Sequence, residues 1–281
     1  MLATLGDLIE DVVVRLDGPV QLATDTSSRI TRRRGGSAAN VAVSAATTGA
    51  PVRFIGQVGV DAIGTALVAE TAAAGVETDH VRRAGTTGTI IVLVDDTGER
   101  SMLTDRRTCA DLSEPDPVWL DGVTTLHVPL YSLVGGATAA TAATVIDWAH
   151  DRGVAVSIDL SSSALVGEHG PDATRALLDR LRPSVVFANE DEAVALGLDG
   201  AIVGAITVVK RGGRPAVVHR PETDRPFESP AIRLDEVGDT TGAGDAFAGG
   251  FLTAPDWLVD PVRACARGHR VAHDLLVAPR R

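Results

Sequence analysis

The sequence predicts an α/β fold: a doubly wound, mostly parallel sheet with a small β-sheet lid attached to it. Two observations carry this prediction. Short β-rich runs alternate with Ala-rich helical stretches along most of the 281 residues, which is typical of parallel α/β sheets. From about residue 120 onward the β-rich runs are almost purely apolar, as expected for strands that helices cover on both faces.

The individual strands and helices are predicted from the residue types of each segment and from the turn residues between segments. Segments rich in apolar and β-branched residues between turn residues are predicted strands. They are residues 2–5, 12–16, 52–58, 89–95, 125–128, 155–159, 185–188, 206–209 and 216–219. Ala-rich or periodically apolar segments are predicted helices. They are residues 38–48, 63–74, 137–152, 173–182, 190–196 and 244–252, with a final stretch beyond Pro261 to about Val277.

Two regions interrupt the alternation of strands and helices. Residues 11–34 and 86–106 contain strands with polar alternation and turns such as the one at 96–98, but no helical stretch. Such alternation is typical of a sheet with one face in water. We therefore predict that these segments form a small β-sheet lid. Since no repeat or long linker is visible, residues 1–281 are predicted to form one domain.

The charge of the chain excludes several function classes. The net charge is −11, with 37 acidic residues against 26 Lys and Arg, and aromatic residues make up 3%. Nucleic-acid binding depends on Lys and Arg at phosphates and on aromatic stacking, so no nucleic-acid partner is expected. An acidic surface is equally unattractive to anionic lipid. An anionic ligand would need a local positive field from a few Arg residues or backbone amides.

The cellular location is predicted from three observations. The longest apolar run, about residues 201–209, is far shorter than the roughly 18 residues of a membrane helix. The first residues lack a basic stretch and are soon interrupted by acids, so no signal peptide is expected. Cys109 and Cys265 are too few for a disulfide framework or a metal cluster. We expect a cytoplasmic protein that does not bind membranes.

The first of two glycine-rich turns is residues 35–40 (Gly-Gly-Ser-Ala-Ala-Asn), which runs into a predicted helix. Paired glycines allow a tight turn and the close approach of backbone to a ligand. Ser37 is positioned to cap the helix, and Asn40 lies one turn further, on the face that looks back at the turn. On these residues alone, a plain strand–turn–helix connection remains an alternative to a ligand site.

The second turn is residues 237–245 (Val-Gly-Asp-Thr-Thr-Gly-Ala-Gly-Asp). Gly242 and Gly244 expose backbone N–H groups at the start of a helix, which is an arrangement that binds anions. Asp245 lies in the first helical turn, either as a partner of the helix dipole or as a general base beside the anion. The small residues that follow indicate tight helix packing, which capping does not require, and they favour the second role.

Two other nucleotide-binding patterns are absent. Lys210 is not part of a Gly-x-x-x-x-Gly-Lys-Ser/Thr loop. No Gly-x-Gly-x-x-Gly fingerprint follows the first strand, which disfavours a nicotinamide-binding Rossmann enzyme.

Four motifs, in order, resemble those of the PfkB, or ribokinase-like, family of carbohydrate and nucleoside kinases. They are residues 35–42 with 49–50 and 56–64, then Asn-x-x-Glu at 189–192, Val-Lys-Arg-Gly at 209–212, and residues 239–247. The resemblance covers roughly residues 1–252. It implies a ribokinase-like fold with a β lid and the ATP-dependent transfer of a phosphoryl group to a hydroxymethyl group of a small carbohydrate.

The resemblance also implies roles for individual residues. Asp245 resembles the catalytic base, and the amides of Gly242, Ala243 and Gly244 resemble the anion hole over the transferring phosphoryl group. Asn189 and Glu192 resemble a pair that organises Mg²⁺ and phosphate through water. The implied substrate-binding residues are Asp11, Gly36, Ser37, Asn40, Arg106 and Tyr131. The implied nucleotide-binding residues are Asn189, Lys210, Gly212, Thr241 and His269. The implied ligands are therefore ATP, Mg²⁺ and a sugar, and a homodimer through the lid is also implied.

Departures from the family pattern bear on the substrate. Ser37 stands where ribokinases usually carry Lys, and Tyr131 falls near the position of their sugar-binding Glu, so ribose is disfavoured. Some keto-sugar-acid and fructose kinases place an Arg over the substrate after this lid strand, and Arg106 is either that residue or part of a lid ion pair. Residues 160–163 (Leu-Ser-Ser-Ser) lack the Arg that keto-sugar-acid kinases tend to carry there, so a sugar acid is also disfavoured.

The C-terminal part of the chain leaves further alternatives open. Much of the distal stretch that helps build the adenine pocket and a monovalent-cation site in the family is missing or very short, so a complete adenine pocket and activation by a monovalent cation are left open. A nucleoside kinase of the same family ranks behind a sugar kinase, because the lid offers few side chains that suit a base. A catalytically impaired sugar- or nucleotide-binding pseudokinase is the alternative from another class.

Overall fold

The computed structural model describes residues 1–234 and 239–278. Within these ranges the strands are β1 (Leu2–Leu5), β2 (Ile9–Leu16), β3 (Ser28–Gly35), β4 (Val52–Val58), β5 (Val81–Arg83), β6 (Thr89–Val94), β7 (Arg100–Asp105), β8 (Thr125–Pro129), β9 (Ala155–Asp159), β10 (Val185–Asn189), β11 (Ile206–Lys210), β12 (Ala216–Arg220) and β13 (Thr223–Ser229). The helices are α1 (Ser37–Ala46), α2 (Ala62–Ala73), α3 (Gly136–Asp151), α4 (Ser163–His169), α5 (Pro171–Leu181), α6 (Glu190–Leu196), α7 (Ala243–Leu252) and α8 (Pro261–Val277). Val237 and Gly238, at the start of the second glycine-rich turn, lie outside the described residues.

A nine-stranded sheet forms the core, in the order β13-β12-β11-β10-β9-β8-β1-β4-β5. The strands from β11 to β5 pair in parallel, and β12 and β13 add an antiparallel edge. This confirms the predicted mostly parallel α/β sheet. The parallel strands end at one edge of the sheet, which is where open α/β sheets bind their ligands.

Helices cover both faces of the large sheet, so the fold is doubly wound as predicted. Side chains of α3, α4, α5 and α6 pack on one face, and those of α1, α2, α7 and α8 pack on the other. The Phe residues of α7 and the neighbouring β10 form an aromatic cluster, in which Phe187 and Phe251 meet edge to face at 5.1 Å. This cluster anchors α7 against the sheet, with its N-terminus at the ligand-binding edge.

A second, four-stranded sheet has the order β3-β2-β6-β7, and we call it the small sheet. It is built from the two regions with polar alternation. Its strands β2 and β6 are parallel, whereas the outer pairs are antiparallel. Residues in register on neighbouring strands point to the same face, so each strand alternates between the two faces of the small sheet.

Several elements were not predicted from the sequence. The short strand β5, the two-turn helix α4 and the edge strand β13 carry little periodic apolar pattern of their own. In β13, for example, the first six residues are exposed and only Ser229 is buried. Its strand conformation comes from antiparallel pairing with β12, which no local pattern encodes.

None of the helices in the described ranges has both the length and the hydropathy needed to cross a bilayer.

Candidate active site

A cavity of about 750 Å³ lies between the carboxyl-end edge of the large sheet, the N-termini of α1 and α7, and one face of the small sheet. All of the predicted site residues except Asn40 line it. They are Asp11, Gly36, Ser37, Arg106, Tyr131, Asn189, Glu192, Lys210, Gly212, Thr241, Gly242, Ala243, Gly244, Asp245 and His269. Asn40 lies behind Asp245, to which it donates a hydrogen bond.

The first glycine-rich turn carries the chain from the small sheet into α1. Gly36 is the N-cap residue and has a φ of 95°, and a Cβ there would collide with the carbonyl oxygen of Asp7. Because Gly36 occupies the N-cap, Ser37 is the first helical residue, and the prediction that Ser37 caps the helix is wrong. Its hydroxyl instead donates to Oδ1 of Asp245 at 2.7 Å.

Asp245 lies in the first turn of α7 with its carboxylate held by two donors from α1. In addition to Ser37, the Asn40 side-chain amide donates to Oδ2 at 2.9 Å. Burial raises the pKa of Asp245 to about 6, and the hydrogen bonds from Ser37 and Asn40 oppose this rise. A carboxylate with a pKa just below neutrality is well matched to accept a proton from an alcohol.

The orientation of Asn40 is fixed by Arg34. The Arg34 guanidinium donates to Oδ1 of Asn40 at 2.6 Å. Since a guanidinium only donates, the Asn40 Nδ2 must be the atom that faces Asp245. The close contact between α1 and α7 that this geometry needs depends on Gly249, where a Cβ would lie 2.9 Å from the backbone of Val41 and Ala45.

The second turn presents backbone N–H groups to the cavity. Gly242 is the N-cap of α7, and the amides of Gly242 and Gly244 have no acceptor among residues 1–234 and 239–278. The Ala243 amide was predicted to join them, but it donates to the Thr240 carbonyl oxygen at 3.1 Å and closes the turn. The open amides at the helix start remain a candidate anion site.

Lys210, the single lysine of the chain, lies at the end of β11 beside this turn. Its Nζ donates to Oδ2 of Asp159 at 2.6 Å, and it would lie 3.2 Å from a Cβ on Gly244. Burial lowers the pKa of Lys210, but the nearby carboxylates of Asp159 and Glu192 outweigh burial and raise it. The site therefore contains a buried, charged ammonium group next to the candidate anion site.

The predicted Asn189–Glu192 pair forms a reciprocal cap at the start of α6. The backbone nitrogen and the side-chain nitrogen of Asn189 each donate to a different carboxylate oxygen of Glu192, both at 2.8 Å. The backbone N–H of Glu192 donates back to Oδ1 of Asn189 at 2.8 Å. Burial, and next the charge of Asp159, raise the pKa of Glu192 to about 7. The cap fixes Glu192 in the wall of the cavity.

The donor set in this wall fits Mg²⁺. Asp159 and Glu192 are carboxylates, Asn189 adds an amide oxygen, and oxygen donors are what Mg²⁺ prefers. The rise of the Glu192 pKa, caused by burial and next by the charge of Asp159, signals crowded negative charge that a cation would relieve. In the described ranges, no three His, Cys, Asp or Glu side chains lie close enough to hold a metal ion by themselves.

Charged and polar groups from the small sheet and the core meet at one end of the cavity. Arg106 makes a bidentate ion pair with Asp7, with both N–O distances 2.8 Å, and it also lines the cavity. Burial raises the pKa of Asp11, with Arg33 opposing. The buried Ser132 hydroxyl lines the cavity and has no hydrogen-bond partner among the described residues, so it can accept or donate to a ligand.

The opposite end of the cavity is mostly apolar. His269 packs edge to face on Phe247 at 5.0 Å, and its Nε2 lies 3.2 Å from the Ser229 carbonyl oxygen. The remaining lining at this end comes from the stretch 231–234 and from α8. Residues 231–234 and α8 thus close this end of the cavity.

The sequence prediction missed several cavity residues, among them the polar residues Asp7, Ser132 and Asp159. Asp159 ends an apolar strand of the parallel sheet, and this position could have marked it, because ligands bind at such strand ends. Asp7 lies two residues after the end of the first strand and could have been found by the same reasoning. Nothing in the local sequence marks Ser132, which enters the cavity through a 3-10 turn after β8.

The sequence profile described as pfkB family carbohydrate kinase matches residues 1–274. An ATP-dependent ribose-1-phosphate kinase of Halopiger xanaduensis is 35% identical over 266 residues, which are 91% of this chain and 84% of that protein. An adenosine kinase from Sinorhizobium meliloti superposes with a TM-score of 0.84 at 23% identity, covering 100% of this chain and 95% of that one. A putative ribokinase II from E. coli in complex with ATP and Mg²⁺ gives a TM-score of 0.83 at 20% identity, with 99% and 93% coverage.

Proposed function

Because the chain belongs to the pfkB family of carbohydrate kinases, and is thus a phosphotransferase with an alcohol acceptor, we propose that it transfers the γ-phosphoryl group of ATP to a hydroxymethyl group of a small carbohydrate. The observation that carries the proposal is the position of Asp245. Its carboxylate lies beside the open amides of Gly242 and Gly244 and in the wall of a cavity large enough for two ligands.

In the proposed reaction, Asp245 accepts the proton of the acceptor hydroxyl as its oxygen attacks the γ-phosphorus. Ser37 and Asn40 hold the carboxylate so that it does not rotate away from the acceptor. The bond between the γ-phosphorus and the β–γ bridging oxygen breaks, and ADP leaves. General-base assistance of this kind contributes about 10²–10⁴-fold to rate.

The negative charge of the transferring group would be met by the Gly242 and Gly244 amides and by Lys210. Positioning and charge stabilisation supply most of the catalysis in phosphoryl transfer. When bound, Mg²⁺ would neutralise the phosphate oxygens, with Asn189, Glu192 and Asp159 as the residues that hold it. We assign the apolar end, with His269 and α8, to the adenine ring, and Gly212 and Thr241 to the phosphate chain. The small sheet then acts as the lid that excludes water, the competing acceptor.

The opposite end of the cavity would bind the acceptor. Asp7, Asp11 and Ser132 offer hydrogen-bonding groups for sugar hydroxyls, with Tyr131 beside them. Arg106 could bind a phosphate substituent, and the relative named ribose-1-phosphate kinase makes a sugar phosphate a natural member of the substrate panel.

A nucleoside is the second candidate acceptor. The small sheet lines the cavity with Ile90, Val92 and Met102, a more apolar wall than the sequence led us to expect. Such a wall can cover a base, and an adenosine kinase is among the similar structures.

The first test is MgATP turnover with a panel of free sugars, sugar phosphates and nucleosides. We expect at least one carbohydrate to raise ADP production far above the rate in buffer and to yield one phosphorylated product per ADP. If only nucleosides do so, the second candidate replaces the first. If no acceptor stimulates turnover although ATP and sugars bind, the proposal fails and the pseudokinase alternative holds.

We also propose that two copies associate through the outer face of the small sheet. On that face, Val12 and Ile91 stand in register with Leu103, and Ile30 lies two rows away. Ile30 is 58% exposed and Leu103 57%, so a second copy would bury apolar side chains that are in water in the single chain. We expect sedimentation at micromolar concentration to give a dimer, and Leu103→Asp to give a monomer. A monomer for the unmodified protein would contradict this proposal.

A further inference from the structure

The carboxylate of Asp239 joins the small sheet to the turn that precedes α7. Nη1 of Arg33 lies 3.3 Å from its Oδ2, and Arg100 donates to its Oδ1. These two arginines come from β3 and β7, the two outer strands of the small sheet. A single carboxylate of the core is therefore held from both edges of the small sheet.

The same carboxylate organises the phosphate-binding turn. Oδ1 of Asp239 accepts hydrogen bonds from the backbone N–H of Thr241 at 3.0 Å and from its hydroxyl at 2.5 Å. Arg100 also donates to the Thr241 hydroxyl. Thr241 immediately precedes Gly242, whose amide is one of the open donors, so the conformation of the anion site depends on this group of contacts.

The contacts of Asp239 favour closure of the small sheet and ordering of the phosphate-binding turn at the same time. Asp239 is mostly buried, with 15% of its side chain exposed. Burial raises its pKa, but the hydrogen bonds from Thr241 and Arg100 outweigh burial and hold the pKa well below its usual value. Charge-assisted hydrogen bonds of this kind are about twice as strong as neutral ones. If the small sheet moved away, a buried carboxylate would lose both guanidinium groups, and the turn would lose part of its support.

We propose that Arg33, Arg100 and Asp239 form a latch that couples closure of the small sheet over the cavity to ordering of the phosphate-binding turn. All three act as positioning residues, since none of them is required to touch the reacting atoms. The inference rests on the proposed kinase function for its catalytic consequence, but not for the structural coupling itself. With this latch, the phosphate-binding turn would be ordered only when the small sheet is closed. The site would therefore hold the phosphoryl group in place only when water is excluded.

The test compares two double variants with the same change in charge. Arg33→Gln with Arg100→Gln removes the latch. Arg29→Gln with Arg32→Gln is the control, because Arg29 is exposed and Arg32 pairs with Glu10 at 3.0 Å on the small sheet, away from Asp239. The single variant Arg100→Gln serves if the latch double variant folds poorly, as judged by its circular dichroism.

Two measurements are made on each variant. In hydrogen exchange, we expect the hydrogen-bonded amides of Thr241 and Ala243 and those of β3 to exchange about tenfold faster or more without the latch, and at the wild-type rate in the control. In turnover, we expect kcat/KM for the acceptor to fall by about 10–100-fold, with more than one ADP released per phosphorylated product. A general loss of folding would not by itself change that ratio in the remaining active molecules.

The two readouts separate this inference from the proposed function. Hydrogen exchange needs no turnover, so it decides the structural coupling even if no acceptor is found. If the wild type is an active kinase and the latch variant exchanges like the control, the latch is wrong while the kinase proposal stands. If exchange accelerates but ADP and product remain at one to one, the structural coupling stands, but its proposed catalytic consequence, the exclusion of water from the phosphoryl group, is overturned.

Discussion

Replacing Asp245 with Asn is expected to lower kcat by about 10²–10⁴-fold, because the variant cannot accept the acceptor proton. Binding should change little. The introduced amide is nearly isosteric, and the Ser37 hydroxyl can accept a hydrogen bond as well as donate one. The measurement is kcat and KM for both substrates, beside calorimetric binding of ATP.

The control is Asp172→Asn, which also removes an acid from the first turn of a helix, α5, but away from the cavity. It should keep wild-type turnover. Equal rates for wild type and Asp245→Asn would show that Asp245 is not the base, and a variant that no longer binds ATP would point to a structural role instead.

The pH dependence follows from the same carboxylate. The folded pKa of about 6 lies above the ordinary 3.8, so the folded state holds this proton more tightly than the unfolded state. Activity should therefore rise as pH increases through about 6, while the stability due to Asp245 is present below about pH 4 and lost by about pH 6. Asp245→Asn avoids that loss. It should exceed the wild type in unfolding free energy at pH 8, on the order of 1–3 kcal/mol, and not at pH 4.

The parts of the site that could be predicted from the sequence are those that short motifs encode. Gly242, Gly244 and Asp245 are neighbours in the chain, and their residue types alone indicate an anion site with a base. The contacts that set their chemistry are long-range: Ser37 and Asp245 are separated by 208 positions, and Arg33 and Asp239 by 206. Rules of sequence spacing do not cover separations of this size. The latch, and the hydrogen bonds that hold the Asp245 carboxylate, can therefore be seen only in the folded structure.

The fold shows the same division between local and long-range information. Buried parallel strands such as 52–58 and 155–159 were predicted to the residue, because the apolar run and its flanking turns coincide with the strand. The edge strand β13 was missed because its partner, not its own pattern, makes it a strand. The pairing of charged residues in the site also depends on contacts between residues that are far apart in the sequence. Lys210 was noted from the sequence, but the carboxylate that neutralises it, Asp159, lies 51 positions away.

Removing Lys210 is expected to destabilise the fold strongly. Lys210→Met leaves the Asp159 carboxylate, which is 2% exposed, without its ion-pair partner. Breaking a buried pair from one side costs about 3–5 kcal/mol, and urea unfolding should show a loss of this size. The introduced side chain has similar volume and can pack on the Phe187 ring, over which Nζ lies at 5.8 Å, so a cavity does not explain the loss.

Adding Asp159→Asn to Lys210→Met separates the two roles of the lysine. The double variant no longer buries an unpaired charge, so its unfolding free energy should return to within about 1–2 kcal/mol of the wild type. Turnover should not return to the wild-type value, and it should lie below that of Asp159→Asn alone, the control that also lacks this proposed Mg²⁺-holding carboxylate. The ammonium group beside Gly244 is still missing, and loss of one preorganised group at the developing charge costs about 10²–10³-fold in kcat. Recovery of both stability and kcat would mean that Lys210 serves only to neutralise Asp159. Recovery of neither would mean that the ion pair is not what makes the single variant unstable.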